Sequence, residues 1–374
     1  MKKEVENPFL EYGYVSPKYF CDRERETIEI ISSLKNGRNL TLVSPRRMGK
    51  TGLIKNVFYK LREQQPDIVT LYMDIFPTQN MGEFVRLFAG TVLGQLDSAP
   101  QKAMSRITKF VKSIRPMFTL DEFSGKPQVT IDVSPMTEQA TLKEIFDYLA
   151  SSEQQCYIAI DEFQQVTEYP EKGLEAALRS YIQDLPNVHF IFSGSRQHVM
   201  QEMFLSAKRP FYQSAHTLSI GSIDKHIYYD FAAEFFAGRS LSEETFSYIY
   251  DTFGGHTWYI QVILNRLYGY CRKVDLLLVQ RAIEQIIAEN MYAYETLLAA
   301  YPQGSIKLLK AIAKAGSVKE VNSSGFIAAN RLKAASSVNV SLRKLLDKEL
   351  IYKSIDGYMV YDRFMAIWLK QLPY

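Results

Sequence analysis

The chain has 374 residues, 47% hydrophobic and 23% charged, a length that predicts two to three domains and a composition that excludes disorder, collagen or coiled coil as readings of the whole. Its three cysteines, Cys21, Cys156 and Cys271, lie far apart with no C-x-x-C pair, which argues against a disulfide framework and a structural zinc site. The formal charge of +3 hides an asymmetry: residues 301–374 hold 12 basic and 5 acidic side chains, whereas 1–300 hold 32 and 36.

No secretory signal is visible in MKKEVENPFLEYGYV, and no apolar run approaches the roughly 18 residues that span a bilayer. A cytoplasmic protein without a membrane partner is expected. A strand is predicted over 39–44 (NLTLVS), followed by a helix whose Leu53, Ile54, Val57, Phe58 and Leu61 share one face. A second strand over 69–75 leads to a helix over 82–96. This alternation is that of a parallel sheet covered on both faces.

From about 97 to 135 the pattern changes to an insertion. It carries a basic amphipathic helix over 102–115 and a hairpin around Gly125-Lys126-Pro127. A solvated helix face is the simpler reading of its charges, with a nucleic-acid contact as the rival. A helix over 141–150 feeds a third strand, Cys156-Tyr-Ile-Ala-Ile160, apolar on both sides as a central strand must be. A helix over 175–184, a strand over 188–192 and a fifth strand over 216–220 follow. Residues 226–300 read as helices rich in Tyr and Phe, broken at Gly254-Gly255. Three helices over 305–314, 324–332 and 337–348, then a hairpin turning at Asp356-Gly357, make the winged-helix plan.

Ser44-Pro-Arg-Arg-Met-Gly-Lys-Thr51 stands between a strand and a helix, where a P-loop has G-x-x-x-x-G-K-[ST]. The backbone of Arg47, Met48, Gly49, Lys50, Thr51 and Gly52 would cradle phosphates. Lys50 would reach the β- and γ-phosphates, and the Thr51 hydroxyl would hold Mg²⁺. Ser44 replaces the first glycine. The third strand ends in Asp161-Glu162, at the edge where ligands of such sheets bind. Asp161 would complete the metal site, and Glu162 would polarise the attacking water. After the fourth strand, Ser195 is placed to hold that water and Arg196 to offset charge, although Ser193 and Ser195 also suit a helix cap. Arg209 is the candidate for a finger reaching a neighbouring subunit in a self-associated form. No histidine pair has metal-ligand spacing.

The order SPRRMGKT, YIAIDE, FSGSR, helical segment and winged helix resembles AAA+-related ATPases of the STAND group, nearest the archaeal-type ATPases that also occur in bacteria. The resemblance implies an α/β P-loop NTPase with sheet order 5-1-4-3-2 and ATP-driven switching. It also implies ATP/ADP binding with Mg²⁺. Tyr19-Phe20-Cys-Asp-Arg23-Glu24 is similar to that group's motif beside the adenine, which implicates Phe20 and Arg23. Gly254-Gly-His256-Thr257 falls at the G-x-P of the lid, which implicates His256, with Thr257 in place of proline.

The expected organisation is an ATPase domain over 1–225, a helical lid over 226–300 and a winged helix over 301–374. The expected activity is slow, Mg-dependent ATP hydrolysis that operates a switch. Alternatives are an ATP-gated DNA-binding regulator and a nucleotide-sensing scaffold without turnover. Outward-facing Ser337, Asn339, Arg343, Lys344 and Lys348 suit DNA, whereas Asp347 and Glu349 and the acidic body suit a winged helix clamped within the molecule. An unknown protein partner is also expected.

Overall fold

In the computed structural model, residues 4–96, 109, 112, 116–120, 127–131, 137–238, 240–270, 273–354 and 356–372 are described. They fall into two compact units, Met1–Tyr228 with His256–Trp258, and Tyr229–Gly255 with Tyr259–Tyr374.

The first unit opens with a helix that charge masked in the sequence, α1 (Glu24–Lys35). It is dominated by charged and polar side chains and buries only Thr27, Ile30, Ser33 and Leu34. Then come β1 (Leu40–Val43), α2 (Lys50–Gln64), β2 (Val69–Asp74) and α3 (Met81–Gln95). An antiparallel hairpin, β3 (Pro116–Leu120) and β4 (Pro127–Ile131), follows where the insertion was expected to carry one. Apart from Lys109 and Lys112, the basic helix expected over 102–115 lies outside the described residues.

The unit continues with α4 (Glu138–Ala150), β5 (Cys156–Asp161), α5 (Leu174–Gln183), β6 (Val188–Gly194), α6 (Gln197–Leu205) and β7 (His216–Ser219). Five parallel strands stand in the order β2-β5-β6-β1-β7. Counted within the sheet, this is 2-3-4-1-5, the implied 5-1-4-3-2 read from the other edge.

Strand alternation sends Cys156, Ile158 and Ile160 into one core with Phe84, Phe88 and Leu149. Tyr157 and Ala159 enter the opposite core with Leu53, Ile54, Val57 and Leu61. Every residue of β5 is buried, as a central parallel strand demands. At the C-terminal edge of the sheet, Phe163 packs 4.6 Å from Phe192 and 5.3 Å from Phe211, ring centre to ring centre. That aromatic plug fixes the segment leaving β5.

The second unit takes in most of α7 (Lys225–Phe235), then α8 (Glu243–Phe253), the body of α9 (Thr257–Gly269) and α10 (Leu276–Ala299). The winged-helix elements follow: α11 (Gln303–Ala315), α12 (Ser324–Ala329), α13 (Ala335–Asp347), β8 (Ile351–Ser354) and β9 (Gly357–Val360). A final helix, α14 (Arg363–Gln371), was not expected. It joins the two halves of the unit: Phe364 lies edge-on to Phe253 and Tyr259, and Trp368 packs 5.5 Å from Tyr294. No helix among the described residues is long and apolar enough to cross a membrane.

His189, on β6, lies beside the Tyr157 ring, and burial pushes its imidazole below the ordinary value of 6.5. The unfolded chain then binds the proton more readily, so the contribution of His189 to stability is present above about pH 6.5 and lost as pH falls below it. Substituting His189→Phe is expected to remove a fraction of a kcal/mol of that acid sensitivity. Comparing denaturant midpoints of the two proteins at pH 7.5 and 5.5 checks this.

Candidate active site

The chain leaves β1 through Ser44 and turns sharply into α2. Two residues of the turn have left-handed backbone, Arg47 at φ 68° and Gly49 at φ 89°. Glycine adopts that conformation at no steric cost, and a Cβ at Gly49 would meet nothing within 4 Å, so the loop is open there.

Lys50, the first residue of α2, is only 6% exposed. Its ammonium donates to the Ser44 carbonyl at 3.2 Å, to Ser44 Oγ at 3.2 Å and to the Pro45 carbonyl at 3.3 Å. Ser44, which stands where a P-loop has glycine, is therefore a working part of the turn. Its hydroxyl is fully buried, accepts from Lys50 and donates to the Pro45 carbonyl. Burial pushes the Lys50 pKa down, and the carboxylates of Glu162 and Asp161 oppose that shift.

Across the sheet edge, Thr51 Oγ1 donates to Asp161 Oδ2 at 2.6 Å, and the Tyr72 hydroxyl donates to the same oxygen at 2.9 Å. Burial and the Asp161 charge both push the Tyr72 phenol upward, so it stays a donor. Glu162 has left-handed backbone, φ 56°, and its amide donates to Asp161 Oδ1. Its Oε2 accepts from Ser195 Oγ at 2.7 Å and from Gln164 Nε2 at 2.5 Å. Arg46 Nε donates to Ser195 Oγ at 3.1 Å, which completes a chain from the loop to Glu162. Gly194 is needed beside this chain, because a side chain there would collide with Gln164 Oε1 and with Met200.

The helix-cap alternative for Ser193 and Ser195 does not hold. The residue preceding α6 is Arg196, with no side-chain cap, and Ser195 is committed to Glu162. Arg196 pairs with Glu168 at 2.7 Å, and Arg209 is held by Glu175 and Glu202. The structure thus brings Lys50, Thr51, Asp161, Glu162 and Ser195 together and engages the two arginines with other carboxylates.

Phe20 packs on the first turn of α2, so close that a Cβ on Gly52 would stand 3.1 Å from its ring. Arg23 is 3% exposed, and its guanidinium serves protein groups: the Met48 carbonyl at 3.2 Å, the Gly221 carbonyl at 2.6 Å and Glu26 at 2.7 Å. His256 is buried just before α9. Trp258, two residues on, donates its amide to the Arg47 carbonyl at 3.0 Å and lies with its ring under the Arg47 guanidinium.

Sequence reasoning missed Tyr72, Gln164, Arg46 and Trp258. Only strand register and loop shape bring them to the site. No local signal marked Gln164, which stands beside a second glutamine in the largely polar run FQQVTE.

The residues present fit a magnesium nucleotide. Hydroxyl and carboxylate are the oxygen donors a hard cation takes, and Lys50 sits beneath a loop open at Gly49. On the second unit, Ser337, Asn339, Arg343 and Lys344 on α13 and Lys348 just past its end are all exposed, while Val338, Leu342 and Leu345 are buried. Asn339 bonds Asn322, and Lys344 lies over the Tyr301 ring.

Residues 20–263 match the family model described as an ATPase domain predominantly from Archaea, and residues 292–371 match a probable winged helix domain. Among solved structures, the Walker-type ATPase PABY2304 of Pyrococcus abyssi is similar at 19% identity and a TM-score of 0.66, covering 97% of this chain and 99% of that one. The ORC2 protein of Aeropyrum pernix, in ADPNP-ADP complexes, gives 14% and 0.54, with 97% and 95% covered. The ORC1 protein of the same organism, in complex with DNA, gives 12% and 0.55, with 97% and 96% covered. No match is found among curated proteins.

Replacing Arg23 by Ala leaves the Met48 and Gly221 carbonyls without their donor. It is expected to cost about 2–3 kcal/mol of stability, measured by urea denaturation, with Arg23→Lys recovering only part because one ammonium cannot reproduce the fork.

Proposed function

From the premise that the chain belongs to the family of ATPase domains found predominantly in Archaea, we propose that it binds ATP with Mg²⁺ and hydrolyses it slowly, as a nucleotide-dependent switch of the AAA+-related STAND kind. The observation that carries this reading is the junction of Thr51 with Asp161 at 2.6 Å beside the buried Lys50.

The loop amides from Arg47 to Gly52 wrap the phosphates, and Lys50 exchanges its loop oxygens for those of the β- and γ-phosphates. Thr51 and Asp161 would hold a magnesium ion, which would neutralise charge on the phosphates. Glu162 orients the attacking water and takes its proton. Ser195, bonded to Glu162 and to Arg46, keeps that carboxylate in register with the loop. Gln164 and Ser195 both bond Glu162 Oε2, so Oε1 is the oxygen left to serve water, and we attribute slow turnover to this one-sided tether. Arg196 and Arg209 receive no step, since carboxylates hold both. Phe20, packed against Gly52, and His256 are the residues proposed to meet the base.

Phosphate release and ATP binding by the purified full chain, beside two variants, test this. Lys50→Ala is expected to weaken ATP binding by about a hundredfold. Glu162→Gln should bind normally and lose about a hundredfold or more in turnover. Tight binding by wild type with no phosphate release would favour a sensing scaffold, and no binding would refute the reading.

A second reading rests on the exposed basic and amide residues of α13. We propose that this face can meet duplex DNA under nucleotide control; the structurally similar Aeropyrum ORC1 protein is a protein solved in complex with DNA. Affinity should fall steeply with salt, and Arg343→Ala with Lys348→Ala should flatten the salt slope by about two. Affinity indifferent to salt and to both substitutions would leave the winged helix to a protein partner.

A further inference from the structure

Trp258 lies against the outside of the phosphate loop. Its backbone N–H is a first-turn donor of α9, one of those that no residue of the same helix can satisfy, and it donates to the Arg47 carbonyl at 3.0 Å. Its indole lies under the Arg47 guanidinium, 3.9 Å from Cζ to ring centre, and beside the Tyr12 ring at 6.4 Å. The preceding carbonyl, that of Thr257, accepts the Tyr228 hydroxyl at 3.3 Å. Trp258 is thus fixed by its main chain, its ring and its neighbour.

The consequence for the loop follows from peptide geometry. In a trans peptide the C=O and the following N–H point in opposite directions. Holding the Arg47 carbonyl outward against Trp258 therefore turns the Met48 amide to the other side. Arg23 does the same one peptide later, because its bond to the Met48 carbonyl turns the Gly49 amide away from Arg23. Arg47 needs such support. Its φ of 68° is a conformation that a residue with a side chain disfavours, and the Trp258 hydrogen bond and ring contact help to hold it there.

We infer that Trp258 is a positioning residue for phosphate binding: by clamping Arg47 from outside, it aims the Met48 amide at the β-phosphate of a bound nucleotide. This inference rests on the nucleotide-binding reading above. It adds a residue that neither the loop motif nor the acidic strand end contains.

The experiment compares affinities of the full chain for ADP and AMP with Mg²⁺. Trp258→Ala keeps the backbone amide and removes the ring, so ADP affinity should fall about fivefold. Trp258→Pro also removes the N–H, at a first-turn position that tolerates proline, and should cost about tenfold more. AMP, which lacks the β-phosphate, should change less than twofold in both. Should Trp258→Pro not fold, the Arg47→Gly background decides: glycine holds a left-handed φ unaided, so Trp258→Ala should cost less than twofold there. Equal losses for ADP and AMP, no loss for either, or an equal cost in the Arg47→Gly background would overturn the inference. If wild type binds neither nucleotide, it is the nucleotide-binding reading that falls.

Discussion

A buried ammonium constrains the first unit more than any other single group. Leaving Lys50 charged without partners would be far more costly than ordinary burial, so the turn around it must supply oxygens. Three come from Ser44 and Pro45, and the carboxylates of Asp161 and Glu162 add their field from the end of β5. The requirement explains why serine is accommodated at the start of the loop: its hydroxyl becomes one of the partners. It also explains why the turn is anchored from outside by Arg23 and Trp258, since a loop that wraps a charge cannot direct all of its own carbonyls inward.

The acidic end of β5 is arranged around restraint. Asp161 accepts from Thr51 and Tyr72 and is spoken for on both oxygens, counting the amide of Glu162. Glu162 is turned into left-handed backbone and tied to Gln164 and Ser195. On the reading proposed above, Glu162 would be a general base held this way, which suits a change of state better than rapid turnover. The aromatic plug of Phe163, Phe192 and Phe211 supports that restraint mechanically, because it anchors the backbone just after Glu162 and just before Ser195.

Much of this was legible in the sequence because each signal was local. The apolar run of β5, the one-sided pattern of α2 and the G-K-T at its start each specify an element from a few adjacent residues, and so does the hairpin at Asp356-Gly357. Tyr72, Gln164, Arg46 and Trp258, which reach the site only through strand register and the course of loops, were not legible. Tyr72 reaches Asp161 only because β2 pairs with β5 in a register that sets Asp74 beside Asp161. Trp258 lies about two hundred residues from Arg47 and meets it through the course of the fold. Two helices were missed for opposite reasons. In α1 charge outweighs the apolar stripe. In α14 the apolar residues serve a core shared by the helical segment and the winged helix, which three helices and a hairpin alone do not foretell.

The claim that this loop holds nucleotide phosphates is tested most directly at its own amides. Hydrogen exchange of residues 44–52 should be followed by mass spectrometry with no ligand, with ATP alone and with ATP and Mg²⁺. Protection concentrated at amides 47–52, and strongest when Mg²⁺ is present, is the result expected. Exchange in this segment that is unchanged by ATP and Mg²⁺ would contradict the account.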